Sequence, residues 1–141
     1  MIPLDYKDSR PIYEQVVEKL QELMILGVLE EDCQMPSVRS LAMELSINPN
    51  TIQRAYGELE RRGYIYSVKG RGSFVGSIRR LREAKREELA QKMAALAKEA
   101  IGLGIRKEEF ASMAENGFQQ MTSTTREGEQ YDRSGKLNET L

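Results

Sequence analysis

The sequence has no histidine and one cysteine among its 141 residues. Without histidine it lacks the commonest general base and metal ligand, and with it every Ser-His or Cys-His nucleophile pair. Cys33 alone can form neither an internal disulfide nor a paired-cysteine metal site. With Glu31 and Asp32 before it and no cation beside it, Cys33 reads as a turn residue rather than an oxidant sensor. No apolar run approaches the ~18 residues that a bilayer-crossing helix needs. Met1 to Arg10 has no basic stretch leading into an apolar one, so no secretory leader is read there. There is no GxxxxGK[ST] loop, no glycine-rich strand-to-helix junction and no internal repeat. These absences exclude an enzyme of the usual kinds: no catalytic residues, no metal site and no cofactor are expected. The expected location is the cytoplasm, with no membrane partner.

What is present is a charge distribution. The formal net charge of −1 conceals a net of −5 over residues 1–33, +3 over 34–76, +2 over 77–121 and −1 over 122–141. The first positive segment contains Arg39, Arg54, Arg61, Arg62, Lys69 and Arg71. A surface that meets phosphates needs such a local excess of cations.

Hydrophobic periodicity divides the chain. Ile12, Val16, Leu20 and Leu23 recur at helical spacing over residues 11–26, with Pro11 fit for a first turn and Gly27 as a stop. After a polar turn from Glu30 to Gln34, Ser37 is a good N-cap for a short helix to about Leu45, with Val38, Leu41, Ala42 and Leu45 on its apolar face. Asn48-Pro49 starts a third helix that Gly63 stops after Arg62. The period then changes. Tyr64 to Val68 and Ser73 to Val75 are aromatic and β-branched, and Lys69-Gly70-Arg71-Gly72 between them predicts a hairpin turn. Three helices followed by a hairpin describe a winged helix-turn-helix over residues 1–76. The fold class is mainly α with a small β-hairpin. Residues 77–121 follow as two helices, 78–101 and about 107–121, and the polar tail 122–141 is expected to be disordered.

The third helix carries the functional reading. Placed on a wheel at about 100° per residue with Asn50 at zero, Ile52, Ala55, Tyr56 and Leu59 lie between about 140° and 240°. Asn50, Gln53, Arg54, Gly57 and Arg61 lie within about 60° of zero on the opposite side. Amides suit adenine edges and guanidinium groups suit guanine in a major groove. Gly57, costing about 1 kcal/mol relative to alanine inside a helix, suggests a need for close approach. A solvated helix face has the same polarity. The Asn-Pro cap, the short helix before it and the hairpin after it favour DNA. Lys69 and Arg71 on the tight hairpin suit phosphates or a minor groove, as well as an ordinary charged turn.

Taken together these residues resemble the GntR family of bacterial regulators. The resemblance rests on Pro11-Ile12-Tyr13-Glu14-Gln15, Met35-Pro36-Ser37-Val38-Arg39, Asn48 through Tyr56, Leu59-Glu60-Arg61-Arg62-Gly63 and Gly70 through Val75, in order and spacing over residues 3–76. The short two-helix remainder is similar to the YtrA-like subfamily, which lacks a large effector-binding domain. The resemblance implies that Ser37 and Arg39 meet the phosphate backbone, with Arg39 also in reach of a base edge. It puts Asn50, Thr51, Gln53 and Arg54 at the recognition helix, and Lys69, Gly70 and Arg71 at the wing. Two positions depart from the family pattern. Ser40 stands where a glutamate often completes a capping box with Ser37, and Ser46 where a glycine usually ends the second helix. Both bear on local stability rather than on DNA contacts.

The expected partner is double-stranded operator DNA, bound as an inverted repeat by a homodimer that acts as a repressor. Residues 77–121 are the expected dimerisation segment, through Leu89, Met93, Leu96, Ala97, Ala100, Phe110, Met113 and Phe118. Folding of these helices back onto the first domain is the competing arrangement. Space remains for a small-molecule effector of unidentified chemistry. Arg79, Arg80 and Arg82 read as a solvated helix start, or as phosphate contacts beyond the wing. The rival to a DNA-binding regulator is a winged-helix adaptor whose cationic face serves an acidic protein.

Overall fold

A computed structural model describes residues 4–5 and 7–139, with side-chain surroundings as far as residue 124. The elements are α1 (Ile12–Ile25), α2 (Val38–Leu45), α3 (Pro49–Arg61), β1 (Ile65–Val68), β2 (Gly72–Val75), α4 (Ile78–Gly102) and α5 (Lys107–Glu139). The chain divides into two compact units, residues 1–88 and 89–141.

In the first unit α3 packs against α1, α2 and β1. Its buried face is the one the wheel gives: Ile52, Ala55, Tyr56 and Leu59 are all buried. They meet Val16, Leu20 and Met24 of α1 and Leu41 of α2 in one cluster with Ile65, Val75 and Leu81. Each large aliphatic side chain so removed from water contributes about 1.5–3 kcal/mol. Leu81 carries the first turns of α4 into this unit, because its burial requires them. The boundary therefore falls inside α4 rather than at residues 76 and 77, where hydrophobic periodicity alone puts it.

The helix ends follow from their caps. Ser37 Oγ accepts the Ser40 N–H at 3.0 Å to start α2. Asn48 Oδ1 accepts the Asn50 N–H at 2.9 Å, with Pro49 in the first turn of α3, where its missing N–H costs nothing. Ser46 closes α2 with φ +53°, a left-handed conformation that suits glycine better, and Ile47 N–H bonds back to Ala42 O at 3.0 Å. The α3 helix ends one residue earlier than its spacing suggests, with Arg62 as its C-cap.

β1 and β2 pair antiparallel with Ile65 opposite Val75 and Val68 opposite Gly72. The polar stretch before α2 flanks β2: Asp32 N–H bonds to Val75 O and Met35 N–H to Ser73 O, each at 2.8 Å, and Gln34 forms a bridge with Phe74. In the second unit, α5 runs on from Lys107 to Glu139, so helical backbone continues through most of the stretch expected to be a disordered tail. No proline follows Pro49 in the sequence, so no residue there lacks the N–H a helix needs. Residues 140–141 lie outside the described residues. Among the described residues no helix is long and apolar enough to cross a membrane.

Candidate nucleic-acid interface

The side chains nominated on α2, α3 and the hairpin stand outward. Ser37, Arg39, Asn50, Gln53, Arg54, Lys69, Gly70 and Arg71 are exposed, and Thr51 is half-buried. On α3 the division between buried and exposed faces is complete, with Asn50, Gln53, Arg54, Gly57 and Arg61 all exposed. A methyl group added at Gly57 would meet nothing within 4 Å among the described residues, so no packing among them requires glycine there.

The ion pairs distinguish the cations. Residues 34–76 hold six of them, and two are neutralised by one carboxylate. Glu58 Oε1 accepts Arg61 Nη2 at 2.6 Å and Arg62 Nε at 2.9 Å. These guanidinium groups, Arg61 first, hold the Glu58 carboxyl down to about 2. Arg61 lies on the outward face of α3, but its donors are engaged. The other four, Arg39, Arg54, Lys69 and Arg71, have no carboxylate partner among the described residues. They are the four nominated from the sequence. An exposed charge left unpaired in the free protein keeps its donors for an incoming anion.

The hairpin tip is held from behind. Arg71 N–H bonds to Val68 O at 2.9 Å to close the turn, with Gly70 at φ +78°, a conformation that side chains disfavour. Gln34 Nε2 donates to Arg71 O at 2.7 Å. Tyr66 stacks on Phe74 with ring centroids 5.6 Å apart and donates its hydroxyl to Asp32 Oδ1 at 3.0 Å, which raises the pKa of the phenol. Sequence reasoning missed Gln34 because a polar residue in an irregular turn carries no periodic signal. Nor did it assign a role to Tyr13, whose ring lies 3.9 Å from the Arg54 guanidinium carbon. Tyr13 and Arg54 lie far apart in the chain with no periodic pattern linking them, and the packing of α1 on α3 brings the two together. The signal available was its place in the Pro11–Gln15 motif.

In the second unit the nominated dimerisation residues do not form one uniform stripe. Leu89, Leu96 and Phe118 are exposed at 66%, 52% and 76%, and Met93 and Met113 are also exposed. Ala100 is buried at 6%, and Ala97 and Phe110 are half-buried. Met93, Leu96, Ala100, Leu103, Phe110 and Met113 line an apolar groove of about 360 Å³. Among the described residues no group of His, Cys, Asp and Glu is arranged to hold a metal ion.

Comparison with known proteins agrees with this geometry. Residues 12–75 match the family described as bacterial regulatory proteins, gntR family. The HTH-type transcriptional repressor YtrA of Bacillus subtilis (strain 168) is 44% identical over 75 residues, which is 53% of this chain and 58% of that protein. The uncharacterized HTH-type transcriptional regulator YhcF of the same organism is 31% identical over 106 residues, 74% of this chain and 88% of that protein. A solved structure, a GntR family transcriptional regulator from Listeria monocytogenes, superposes with a TM-score of 0.68 at 36% identity, covering 80% of this chain and 98% of its own.

Proposed function

This chain belongs to the gntR family of bacterial regulatory proteins, and from that premise we propose that it is a cytoplasmic transcriptional repressor that binds an inverted-repeat operator as a homodimer. It carries out no catalysis. Asn50, Thr51, Gln53 and Arg54 read base edges in the major groove, Ser37 and Arg39 hold the backbone, and Lys69, Gly70 and Arg71 follow phosphates at the wing. The observation that carries this reading is the coincidence of the unpaired cations of residues 34–76 with α2, α3 and the hairpin tip, while Arg61 and Arg62 are neutralised. The exposed apolar residues of the second unit support self-association. Its groove is of a size that also suits a small-molecule effector.

The test is selection of bound genomic fragments by the purified full chain, followed by titration of the best fragment. Arg54→Ala is expected to weaken specific binding by about 1–3 kcal/mol and relax the preference at one base position. Lys69→Ala is expected to weaken all sequences alike and to reduce the salt slope by about one. Equal affinity of the wild type and Arg54→Ala for the selected fragment would remove Arg54 from the reading face. Failure to select any duplex would return the adaptor reading.

A further inference from the structure

The Arg54 guanidinium lies over the ring of Tyr13, 3.9 Å from its centroid, although the two residues belong to different helices. Tyr13 is in the first turn of α1, half-buried and packed against the core cluster of the first unit. Its hydroxyl reaches outward to Glu14 Oε1 at 3.3 Å. The ring is thus a fixed surface, anchored on one side by the core. Together with Pro11, Ile12, Asn50, Thr51 and Arg54 it lines an open depression at the start of α3.

We propose that Tyr13 is a positioning residue for sequence reading, holding the Arg54 guanidinium in place while leaving its hydrogen-bond donors free. The chemistry distinguishes this from an ion pair. A free arginine side chain has about 2 kcal/mol of rotamer entropy to lose when it docks. A carboxylate would restrict it by engaging the in-plane N–H donors, as Glu58 does to Arg61. An aromatic face restricts it by contact with the plane of the guanidinium. The N–H edge then remains available for the paired acceptors of a guanine, O6 and N7. Arg54 has no carboxylate partner among the described residues, and the Tyr13 ring is the contact that restrains it. The inference rests on the reading of Arg54 as a base-contacting residue and adds what prepares it for that contact.

A double-mutant cycle on the full chain tests it, using the fragment selected by the wild type and a mixed-sequence duplex as the non-specific control. Tyr13→Leu is expected to weaken binding to the selected fragment about two- to fivefold. Binding to the control duplex and the salt slope should not change, because no phosphate contact is lost. Tyr13→Phe keeps the ring and should retain wild-type affinity. In an Arg54→Ala background, Tyr13→Leu should have no further effect. The free protein gives an independent reading that needs no DNA: Arg54 Hδ protons should show an upfield ring-current shift by NMR in the wild type and in Tyr13→Phe. An unshifted Arg54 in the wild type overturns the proposal, even if Tyr13→Leu does not fold. So does a Tyr13→Phe variant as weak as Tyr13→Leu, since the hydroxyl would then be the active group, or a leucine effect that persists without Arg54. If Arg54→Ala itself binds the selected fragment like the wild type, the assignment of Arg54 fails, and the positioning role fails with it. If Arg54→Ala weakens binding and Tyr13→Leu does not, the assignment stands and the positioning role alone fails.

Discussion

Gly57 occupies the middle of a helix whose other face is fully buried, a position where glycine is about 1 kcal/mol worse than alanine. The chain itself does not ask for it, since a Cβ there would touch nothing within 4 Å. A glycine that the free fold does not require fits the proposal that this face is closely approached by DNA. Gly57→Ala should therefore stabilise the free protein by up to about 1 kcal/mol in thermal or denaturant unfolding, and weaken binding to the selected fragment. An alanine variant that is more stable and binds as well as the wild type would show that no backbone approach occurs there. The same separation of folding from binding applies to the four unpaired cations, each exposed and without a carboxylate partner among the described residues. Removing one takes no ion pair from the fold.

At the scale of elements, α2, its turn and α3 make the helix-turn-helix, and its turn contains a local conflict. Ser46 adopts φ +53°, a conformation that costs a residue with a Cβ roughly 1–2 kcal/mol. Glycine escapes that cost but loses more backbone entropy on folding. Ser46→Gly should accordingly raise the unfolding free energy by about 0.5–1 kcal/mol, read as a higher midpoint with an unchanged denaturant slope. A lower midpoint would mean that the serine makes a contact worth more than its strain. This departure from the family pattern was visible in the sequence, as were the caps at Ser37 and Asn48, the two faces of α3 and the hairpin turn. Each is written in residues within a few positions of one another, where propensity and periodicity act. The interactions that were not legible join residues far apart in the chain: Tyr13 to Arg54, Gln34 to Arg71, and Leu81 to the core of the first unit. The wheel likewise put Arg61 on the outward face of α3 without showing that Glu58, three residues earlier, engages its donors. The extent of α5 was missed for another reason. Its polar residues lack an apolar stripe, and a stripe is what sequence reading uses to recognise a helix.

For the whole molecule, the resolved titrations all move away from neutrality. Arg10 lowers Asp8 and Glu18, Arg61 lowers Glu58 to about 2, and burial raises Tyr56 to about 12. A carboxylate with a depressed folded pKa stabilises the fold above its unfolded value and loses that contribution as pH falls through the folded one. A phenol with a raised pKa stabilises below its unfolded value and loses that contribution as pH rises toward the folded one. Stability should thus be level between pH 6 and 8, as suits a chain without histidine, and fall below about pH 4.5 and above about pH 10. A midpoint that moves substantially between pH 6 and 8 would contradict this. The second unit sets the last expectation. One winged domain offers a small footprint, and joining two raises the effective concentration of the second for its half-site. Leu89, Leu96 and Phe118 expose apolar area that a partner copy would cover. Leu96→Glu puts a charge into that area, at a position already 52% exposed, so the fold of the chain loses little. The wild type should run as a dimer at micromolar concentration in size measurement. Leu96→Glu should run as a monomer, with an unchanged unfolding midpoint for the first unit and operator affinity reduced on the order of 10²-fold. A wild type that is monomeric at that concentration, or a monomeric variant that binds the full operator as well as the dimer does, would mean that each winged domain works alone.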